Sequence, residues 1–272
     1  MDTLTAFAAD KLAALDAQHL RRRLVATARA GGPWLERRGR RLLSFSCNDY
    51  LNLSQHPAVK RAAADAALTH GTGAGASRLV TGEHPLLEAL ERRLAKLKGT
   101  EAACVFGSGY LANAGIIPTF AGSADALFID ELAHACIWAG ARLSGARTFA
   151  FRHNDAAHLA ALLAEHRASA RHALVATDGV FSMDGDIAPL DRLSAACAAH
   201  DAWLLADDAH GVGVLGGGRG TAALFPAARV DLQMGTLSKA LGGYGELLSA
   251  PRPGGGLFKM RGRAPGCSPG PA

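Results

Sequence analysis

The sequence lacks the features of membrane, secreted and metal-binding proteins. No run of about 18 apolar residues occurs, and the N-terminus has no basic-then-apolar order of a signal peptide. The five cysteines are scattered and include no CxxC pair, which argues against a disulfide framework or a zinc site. We therefore expect a cytoplasmic chain with reduced thiols, no membrane contact and no metal.

Nucleotide and hydrolase motifs are absent or incomplete. The sequence contains no GxxxxGK[ST] and no GxSxG. A dinucleotide fingerprint is matched at Gly211-Val-Gly213-Val-Leu-Gly216, but Gly-Gly-Arg-Gly follows it where a helix is required. These patterns disfavour kinases, ATPases, α/β-hydrolases and dinucleotide-binding proteins.

The net charge of +5 comes largely from arginine clusters at positions 21–23, 37–38 and 40–41. Such clusters suit an anionic small substrate, and they equally suit a solvated helix face. No aromatic residues interleave with them and no binding motif accompanies them, so we expect no nucleic-acid partner.

Apolar bursts alternate with helical patterns along most of the chain. Residues 4–24 have an amphipathic spacing that predicts a helix ended by Gly31-Gly32-Pro33, and a short strand follows near 42–45. Further helices are predicted near 85–98, 110–120, 134–143, 155–167 and 189–200. Strands are predicted at 102–106, 126–129, 148–151, 173–177, 203–206 and 232–234. This alternation predicts an α/β domain with a mainly parallel sheet and helices on both faces.

The last 22 residues break this pattern, because five are proline, six are glycine and none is acidic. Such a segment buries too little apolar surface to offset its ordering entropy. We divide the chain into an N-terminal helix and arm (1–45), a large domain (46–250) and a disordered tail (251–272).

Polar residues follow two of the predicted strands. Asp207-Asp-Ala-His210 ends one strand, and Gly235-Thr-Leu-Ser-Lys239 ends the next. A lysine just beyond a buried strand, with hydroxyls before it and glycines after it, fits an amine that reaches a cofactor aldehyde beside a phosphate. The alternative is a solvated loop lysine.

Six blocks in order resemble the α-oxoamine synthases, which are fold-type-I pyridoxal-phosphate (PLP) enzymes that condense an amino acid with an acyl-CoA and release carbon dioxide. The blocks are Ser46-Cys-Asn-Asp-Tyr-Leu, Gly71-Thr-Gly-Ala-Gly-Ala-Ser-Arg, Phe106-Gly-Ser-Gly-Tyr-Leu-Ala-Asn, Asp178-Gly-Val-Phe-Ser-Met-Asp-Gly-Asp, Asp207-Asp-Ala-His-Gly-Val-Gly and Gly235-Thr-Leu-Ser-Lys. The resemblance implies the large PLP-binding domain of that fold, with its small C-terminal domain missing.

The same resemblance implies roles for individual residues. Lys239 matches the lysine that binds pyridoxal 5'-phosphate covalently, Asp207 the partner of its ring nitrogen, and His134 the histidine stacked on its ring. The remaining cofactor-side matches are Gly109, Tyr110, Ser182, His210 and Thr236. Substrate-side matches are Arg21, Asn48 and His134, although Arg21 is equally one of three arginines on a solvated face.

Within the family, Asp-Asp-Ala-His-Gly at 207–211 is most similar to the members of biotin biosynthesis. This implies L-alanine and pimeloyl-CoA, or pimeloyl-acyl carrier protein, as substrates. The loop Gly71–Arg78 resembles a segment that reaches the partner's site in a homodimer. Open alternatives are another α-oxoamine synthase that uses glycine and a short acyl-CoA, and an inactive remnant that only binds cofactor or dimerises.

The resemblance stops at Glu246, where the family has a β-branched strand. A buried glutamate there would cost several kcal/mol unless it is paired. We therefore expect a frameshift or truncation near this position, and no detectable condensation by this chain.

Overall fold

All six predicted strands of the large domain are strands of one sheet in the computed structural model. The structure describes residues 2–29, 31–107 and 109–261, without the side chains of 109–111 and 261. The sheet has the order β4-β10-β9-β8-β7-β5-β6. Its strands are β4 (Ala102–Phe106), β5 (Ala126–Asp130), β6 (Arg147–Phe151), β7 (Ala173–Asp178), β8 (Trp203–Asp207), β9 (Leu232–Thr236) and β10 (Glu246–Ala250).

The sheet is mainly parallel, as predicted. Strands β6, β5, β7, β8 and β9 pair in parallel, whereas β10 is antiparallel to both β9 and β4. The helices that accompany the sheet are α2 (Pro57–His70), α3 (Pro85–Lys98), α4 (Gly109–Phe120), α5 (Ala135–Ser144), α6 (Ala156–His166), α7 (Leu190–Ala199) and α8 (Arg252–Arg261). Of these, α2 and α8 were not predicted.

Apolar cores lie on both faces of the sheet. Side chains alternate across β5, so that Leu127 and Ile129 join one core while Ala126 and Phe128 join the other. Helices α4, α5 and α8 contribute to the first core, and α6 and α7 to the second. This arrangement explains why the strands are nearly continuous apolar runs.

The chain divides into two units, Met1–Cys47 and Asn48–Ala272. In the first unit, α1 (Thr3–Ala17) precedes an antiparallel sheet of β1 (Thr27–Arg29), β2 (Trp34–Arg37) and β3 (Arg40–Leu43). The helix ends at Ala17, so the prediction that it continues to residue 24 is wrong. Its C-cap is Gln18, and His19 has a left-handed φ of 55° that turns the chain.

The arginines of the second cluster lie on a hairpin and not on a helix face. Arg38 and Gly39 connect β2 to β3, and both have positive φ, 53° and 71°. A two-residue turn with two positive φ values matches the twist of the flanking strands.

The segment after Gly245 belongs to the sheet, inside the large domain that was expected to extend to residue 250. Glu246 lies at the end of β10 beside Thr236, whose hydroxyl donates to Glu246 Oε1 at 2.9 Å. This contact supplies the pairing that the expectation treated as missing.

The disordered tail expected from residue 251 is wrong for residues 252–261, which form α8. The side chain of Phe258 is fully buried and meets Phe106 edge to face, with 5.2 Å between ring centroids. Lys259 Nζ lies 2.5 Å from Glu91 Oε2. These tertiary contacts stabilise a helix that its proline and glycines disfavour. Residues 262–272 lie outside the described part of the chain.

No helix among the described residues is long and apolar enough to cross a membrane.

Candidate active site

A cavity of about 210 Å³ lies at the edge of the sheet where β7, β8 and β9 end and β10 begins. Six predicted site residues line it together: His134, Ser182, Asp207, His210, Thr236 and Lys239. The other lining residues are Cys136, Asp178, Val180, Ala209, Met234 and Glu246. Parallel strands bring their carboxyl ends to one edge, and therefore residues far apart in sequence meet here.

Asp207 is a buried carboxylate at the end of β8. Its Oδ2 accepts a hydrogen bond from Asn113 Nδ2 at 2.6 Å, and its Oδ1 accepts from the backbone N–H of Ala209 at 3.1 Å. Burial raises the pKa of Asp207, and the two hydrogen bonds and the charge of Lys239 oppose that rise. The site thus holds a carboxylate whose hydrogen bonds come from neutral amides.

Lys239 belongs to a chain of contacts that reaches a predicted substrate residue. Its Nζ lies 2.8 Å from His210 Nε2, and His210 Nδ1 lies 2.6 Å from the hydroxyl of Tyr50. The Tyr50 hydroxyl lies 3.4 Å from Asn48 Oδ1. Burial lowers the pKa of Lys239. Burial, and then the charge of Lys239, lower the pKa of His210 to about 4. His210 is therefore neutral near pH 7, and the amine of Lys239 loses its proton more readily than an exposed lysine.

Asp178 ends β7 directly beside Asp207 in the register of the sheet. Its Oδ1 accepts the backbone N–H of His134 at 3.2 Å, which holds the start of α5. Burial, and then the charge of Asp207, raise the pKa of Asp178 to about 8. Two buried carboxylates at neighbouring strand ends therefore share one region of the cavity wall.

Four predicted site residues are not placed in the cavity, and one of them, Asn48, is linked to it only through the Tyr50 hydroxyl. Helix α4 begins at Gly109, but the side chain of Tyr110 lies outside the described residues, so these two matches stay predictions. Arg21 belongs to the first unit, where it forms an ion pair with Asp16 at 2.5 Å. Its role as a substrate contact stays a prediction as well.

Sequence reasoning missed four residues at the site. Tyr50, Asn113 and Asp178 stand inside the quoted blocks but received no role, and Cys136 follows His134 by two positions. Asn113 and Asp178 are buried polar residues. The sequence signal that could have found these two is a polar residue inside an otherwise apolar helix or strand. A buried polar group needs a hydrogen-bond partner, and such a residue therefore indicates a polar site nearby.

Asp208 faces away from the cavity and anchors the loop that follows β8. Its Oδ2 lies 3.0 Å from Lys98 Nζ, and its Oδ1 accepts the Thr221 hydroxyl at 2.6 Å. Gly211 packs against the Asp208 carboxylate, with no space for a Cβ atom. The glycine that begins the apparent dinucleotide fingerprint therefore serves this packing.

Comparison with known proteins identifies the family. Residues 40–249 match the family described as aminotransferase class I and II. The chain belongs to this family. The 8-amino-7-oxononanoate synthase of Beijerinckia indica is 61% identical over 97% of the chain and 68% of that protein. The enzyme of the same name from Methylocella silvestris is 66% identical over 84% of the chain and 65% of that protein.

A solved structure of a family relative has the same fold. The serine palmitoyltransferase of S. paucimobilis, with bound PLP and myriocin, superposes with a TM-score of 0.88. It is 29% identical, and the match covers 97% of this chain and 69% of that one. The chain is thus a fold-type-I enzyme of the aminotransferase class I and II family, and pyridoxal phosphate is its expected cofactor.

The donor set of the cavity fits this cofactor. Asp207 is a buried carboxylate that a cationic ring nitrogen would match, because an opposite charge stabilises a buried anion. Lys239 is an amine with a lowered pKa in the same cavity, as bond formation with an aldehyde requires.

We expect the cofactor-free protein to lose stability between pH 4 and pH 8 through Asp178. The folded chain holds this proton more tightly than the unfolded chain, because the pKa rises from 3.8 to about 8. Asp178 therefore stabilises the fold below its ordinary pKa and loses that contribution as the pH rises through the folded value. Asp178→Asn keeps an acceptor for the His134 N–H but has no carboxyl proton to lose. The free energy of unfolding of this variant, relative to that of wild type, should therefore be higher at pH 8 than at pH 5.

The measurement is urea unfolding at both pH values. Asp184→Asn, at an exposed carboxylate of the loop after β7, is the matched control and should follow wild type. Equal pH dependence in Asp178→Asn and wild type would contradict the assignment.

Proposed function

We propose, in place of the expected absence of condensation, that the chain catalyses the decarboxylative condensation of L-alanine with pimeloyl-CoA, or with pimeloyl-acyl carrier protein, to 8-amino-7-oxononanoate. This is a step of biotin synthesis. The observation that carries the proposal is the cavity itself, where six residues matched to this reaction lie together in a chain 61% identical to a protein of that name. The product, the substrates and the roles below are parts of the proposal.

In this proposal the cofactor is held by seven residues. Five line the cavity, namely Ser182, Asp207, His210, Thr236 and Lys239, and two lie at the start of α4, namely Gly109 and Tyr110. When bound, pyridoxal phosphate supplies an electron sink that stabilises negative charge at the α-carbon of the amino acid. Asp207 keeps the ring nitrogen protonated, and the buried Asn113 amide fixes the carboxylate by its 2.6 Å hydrogen bond. His134 would hold the ring by stacking on it.

Lys239 binds the cofactor and then takes the proton from the α-carbon of L-alanine. Its lowered pKa provides the unprotonated amine that a base requires. His210, neutral and 2.8 Å from Lys239 Nζ, orients that amine, and Tyr50 in turn orients His210. Asn48, linked to Tyr50, and Arg21 contact the substrate.

The proposal includes a homodimer. The loop Gly71–Arg78 follows α2 and contains no helix or strand. Arg78 is fixed within its own chain, since its Nη1 donates to Glu91 Oε1 at 2.6 Å and to the Val105 carbonyl at 2.9 Å. Such an anchor would hold the loop for contact with a second copy.

The deciding experiment measures CoA release from pimeloyl-CoA by the PLP-loaded chain with L-alanine, glycine and L-serine. We expect L-alanine to exceed glycine by about 10-fold or more in kcat/KM, because one methyl group in an apolar pocket discriminates by at least that factor. Preference for glycine would move the assignment to a sister α-oxoamine synthase. Preference for L-serine would favour the serine palmitoyltransferase-like activity that the structural likeness raises. PLP binding with no CoA release would favour the inactive remnant.

A further inference from the structure

Cys136 occupies a central place in the cavity wall without a role in the reaction proposed above. It lies in the first turn of α5, is 2% exposed and lines the cavity. Its Sγ lies 2.7 Å from His134 Nδ1 and 3.2 Å from Asn113 Nδ2. The thiol therefore sits between the ring of His134 and the amide that binds Asp207.

The hydrogen bonds around Cys136 have a definite direction. The backbone N–H of Cys136 can only donate, and it points to His134 Nδ1 at 3.3 Å. Nδ1 is thus an acceptor, so the hydrogen of the His134 ring lies on Nε2. The two hydrogens of the Asn113 amide go to Asp207 Oδ2 and to Cys136 Sγ, so the sulfur accepts from Asn113. The thiol hydrogen has two acceptors within reach, Nδ1 at 2.7 Å and Asp207 Oδ2 at 4.0 Å, and the shorter contact directs it to Nδ1.

We propose that Cys136 is a positioning residue that fixes the Nε2-protonated tautomer and the ring orientation of His134, and that couples this ring through Asn113 to Asp207. The consequence for turnover rests on the proposed function, whereas the tautomer does not. This relay of hydrogen bonds, from His134 through Cys136 and Asn113 to Asp207, joins the start of α5 to the end of β8. A ring held in this way presents one face and one N–H to the cavity.

A nucleophilic thiolate is not the role of this cysteine. Burial, and then the charge of Asp207, raise the pKa of Cys136 to about 12, so the thiol keeps the hydrogen that the relay requires. The described residues also contain no group of three or more metal-binding side chains in which Cys136 could act as a ligand.

The experiment compares Cys136→Ala, Cys136→Ser and Cys197→Ala in the PLP-loaded chain. Cys197 is the matched control, because it is a buried thiol on α7 in the other core. The 15N signals of the imidazole nitrogens, measured with 15N-labelled histidine and assigned to His134 with a His134→Gln variant, report the tautomer. The visible absorbance of bound PLP reports an intact cofactor site.

We expect wild type, Cys136→Ser and Cys197→Ala to show the Nε2-protonated pattern, since a serine hydroxyl still donates to Nδ1. Cys136→Ala keeps only the longer contact from the backbone N–H to Nδ1, at 3.3 Å, so it should bind PLP but show a mixture of tautomers. Its kcat should fall about 10-fold, with KM for the amino acid nearly unchanged, which is below the roughly 100-fold that a 1 Å misplacement costs. Cys136→Ser should have a kcat close to that of wild type.

Three outcomes would overturn the proposal: an Nδ1-protonated His134 in wild type, an unchanged tautomer in Cys136→Ala, or a serine variant that behaves like the alanine variant. If wild type releases no CoA, the proposed function fails, and the imidazole signals still decide the role of Cys136.

Discussion

Lys239→Ala should remove the visible absorbance of the PLP-loaded chain and lower condensation by at least about 1,000-fold. The side chain has two tasks in the proposed reaction, and the proton-transfer task alone contributes about 100- to 10,000-fold. Losing the amine also removes the covalent attachment of the cofactor. His210, whose Nε2 lies 2.8 Å from Lys239 Nζ, stays in the cavity but cannot form that attachment.

The measurement is an absorbance spectrum and a CoA-release assay on the purified variant. Lys96→Ala is the matched control, because Lys96 is an exposed lysine of α3, and it should leave the spectrum and the rate unchanged. A Lys239→Ala protein that stays yellow and active would reject the assignment of Lys239.

Lys98→Met should lower the free energy of unfolding by about 3–5 kcal/mol, the largest effect on stability that we expect from a single substitution. The side chains of Lys98 and Asp208 are 0% and 3% exposed, and removing one partner leaves the other charge buried and uncompensated. Lys98 Nζ also donates to the Arg219 carbonyl at 2.7 Å, so the loop after β8 loses an anchor as well.

Urea unfolding of wild type, Lys98→Met and the double variant Lys98→Met with Asp208→Asn tests this explanation. The double variant removes the stranded charge and keeps an acceptor for Thr221, so we expect it to recover about half of the loss. Glu88→Ala, which removes the exposed Arg92–Glu88 pair, should change stability by no more than about 0.5 kcal/mol. A double variant as unstable as the single one would show that cavity formation, and not the buried charge, determines the loss.

The large domain could be predicted from the sequence because its parallel strands are buried on both faces. Such strands are buried at every position, as β5 and β7 are. They are apolar up to the polar residues at their C-terminal ends, and therefore they stand out against the helical segments between them. The predicted helix 85–98 matches α3 at both ends, since Pro85 begins it and Gly99 ends it with a left-handed φ of 68°. In these elements local pattern and tertiary environment agree.

The elements that were missed depend on distant partners. Strand β10 carries Glu246 and Ser249, which a local pattern does not assign to a buried strand, and α8 contains three consecutive glycines. Each is stabilised by contacts that sequence spacing does not show, namely Thr236 for Glu246 and the Phe106 ring for Phe258. For α1 the error was the opposite, because a regular leucine spacing continued beyond the helix.

At the site, the side chains expected to touch the cofactor were predicted and those that support them were not. Lys239, Asp207 and His210 follow strands in recognisable blocks, which makes them visible in the sequence. Asn113 reaches Asp207 from α4 across 94 residues of the chain, and the Cys136 thiol on α5 contacts the same Asn113 amide. Contacts of this kind depend on how helices pack on the sheet, and no spacing rule gives that packing.

The position of β10 constrains the order in which the chain can fold. This strand lies between β4 and β9, so Val105 pairs with Leu247, although β4 is the first strand of its sheet and β10 the last. A nascent chain on the ribosome can form β5 to β9 before β10 emerges, but β4 has no neighbour to join and β9 remains an open edge. The sheet is completed only when β10 pairs with both β4 and β9. Its pairing with β4 joins residues far apart in the chain, which slows folding. Until then the unpaired edge is open to other nascent chains, and molecular chaperones would be needed most at this stage of synthesis.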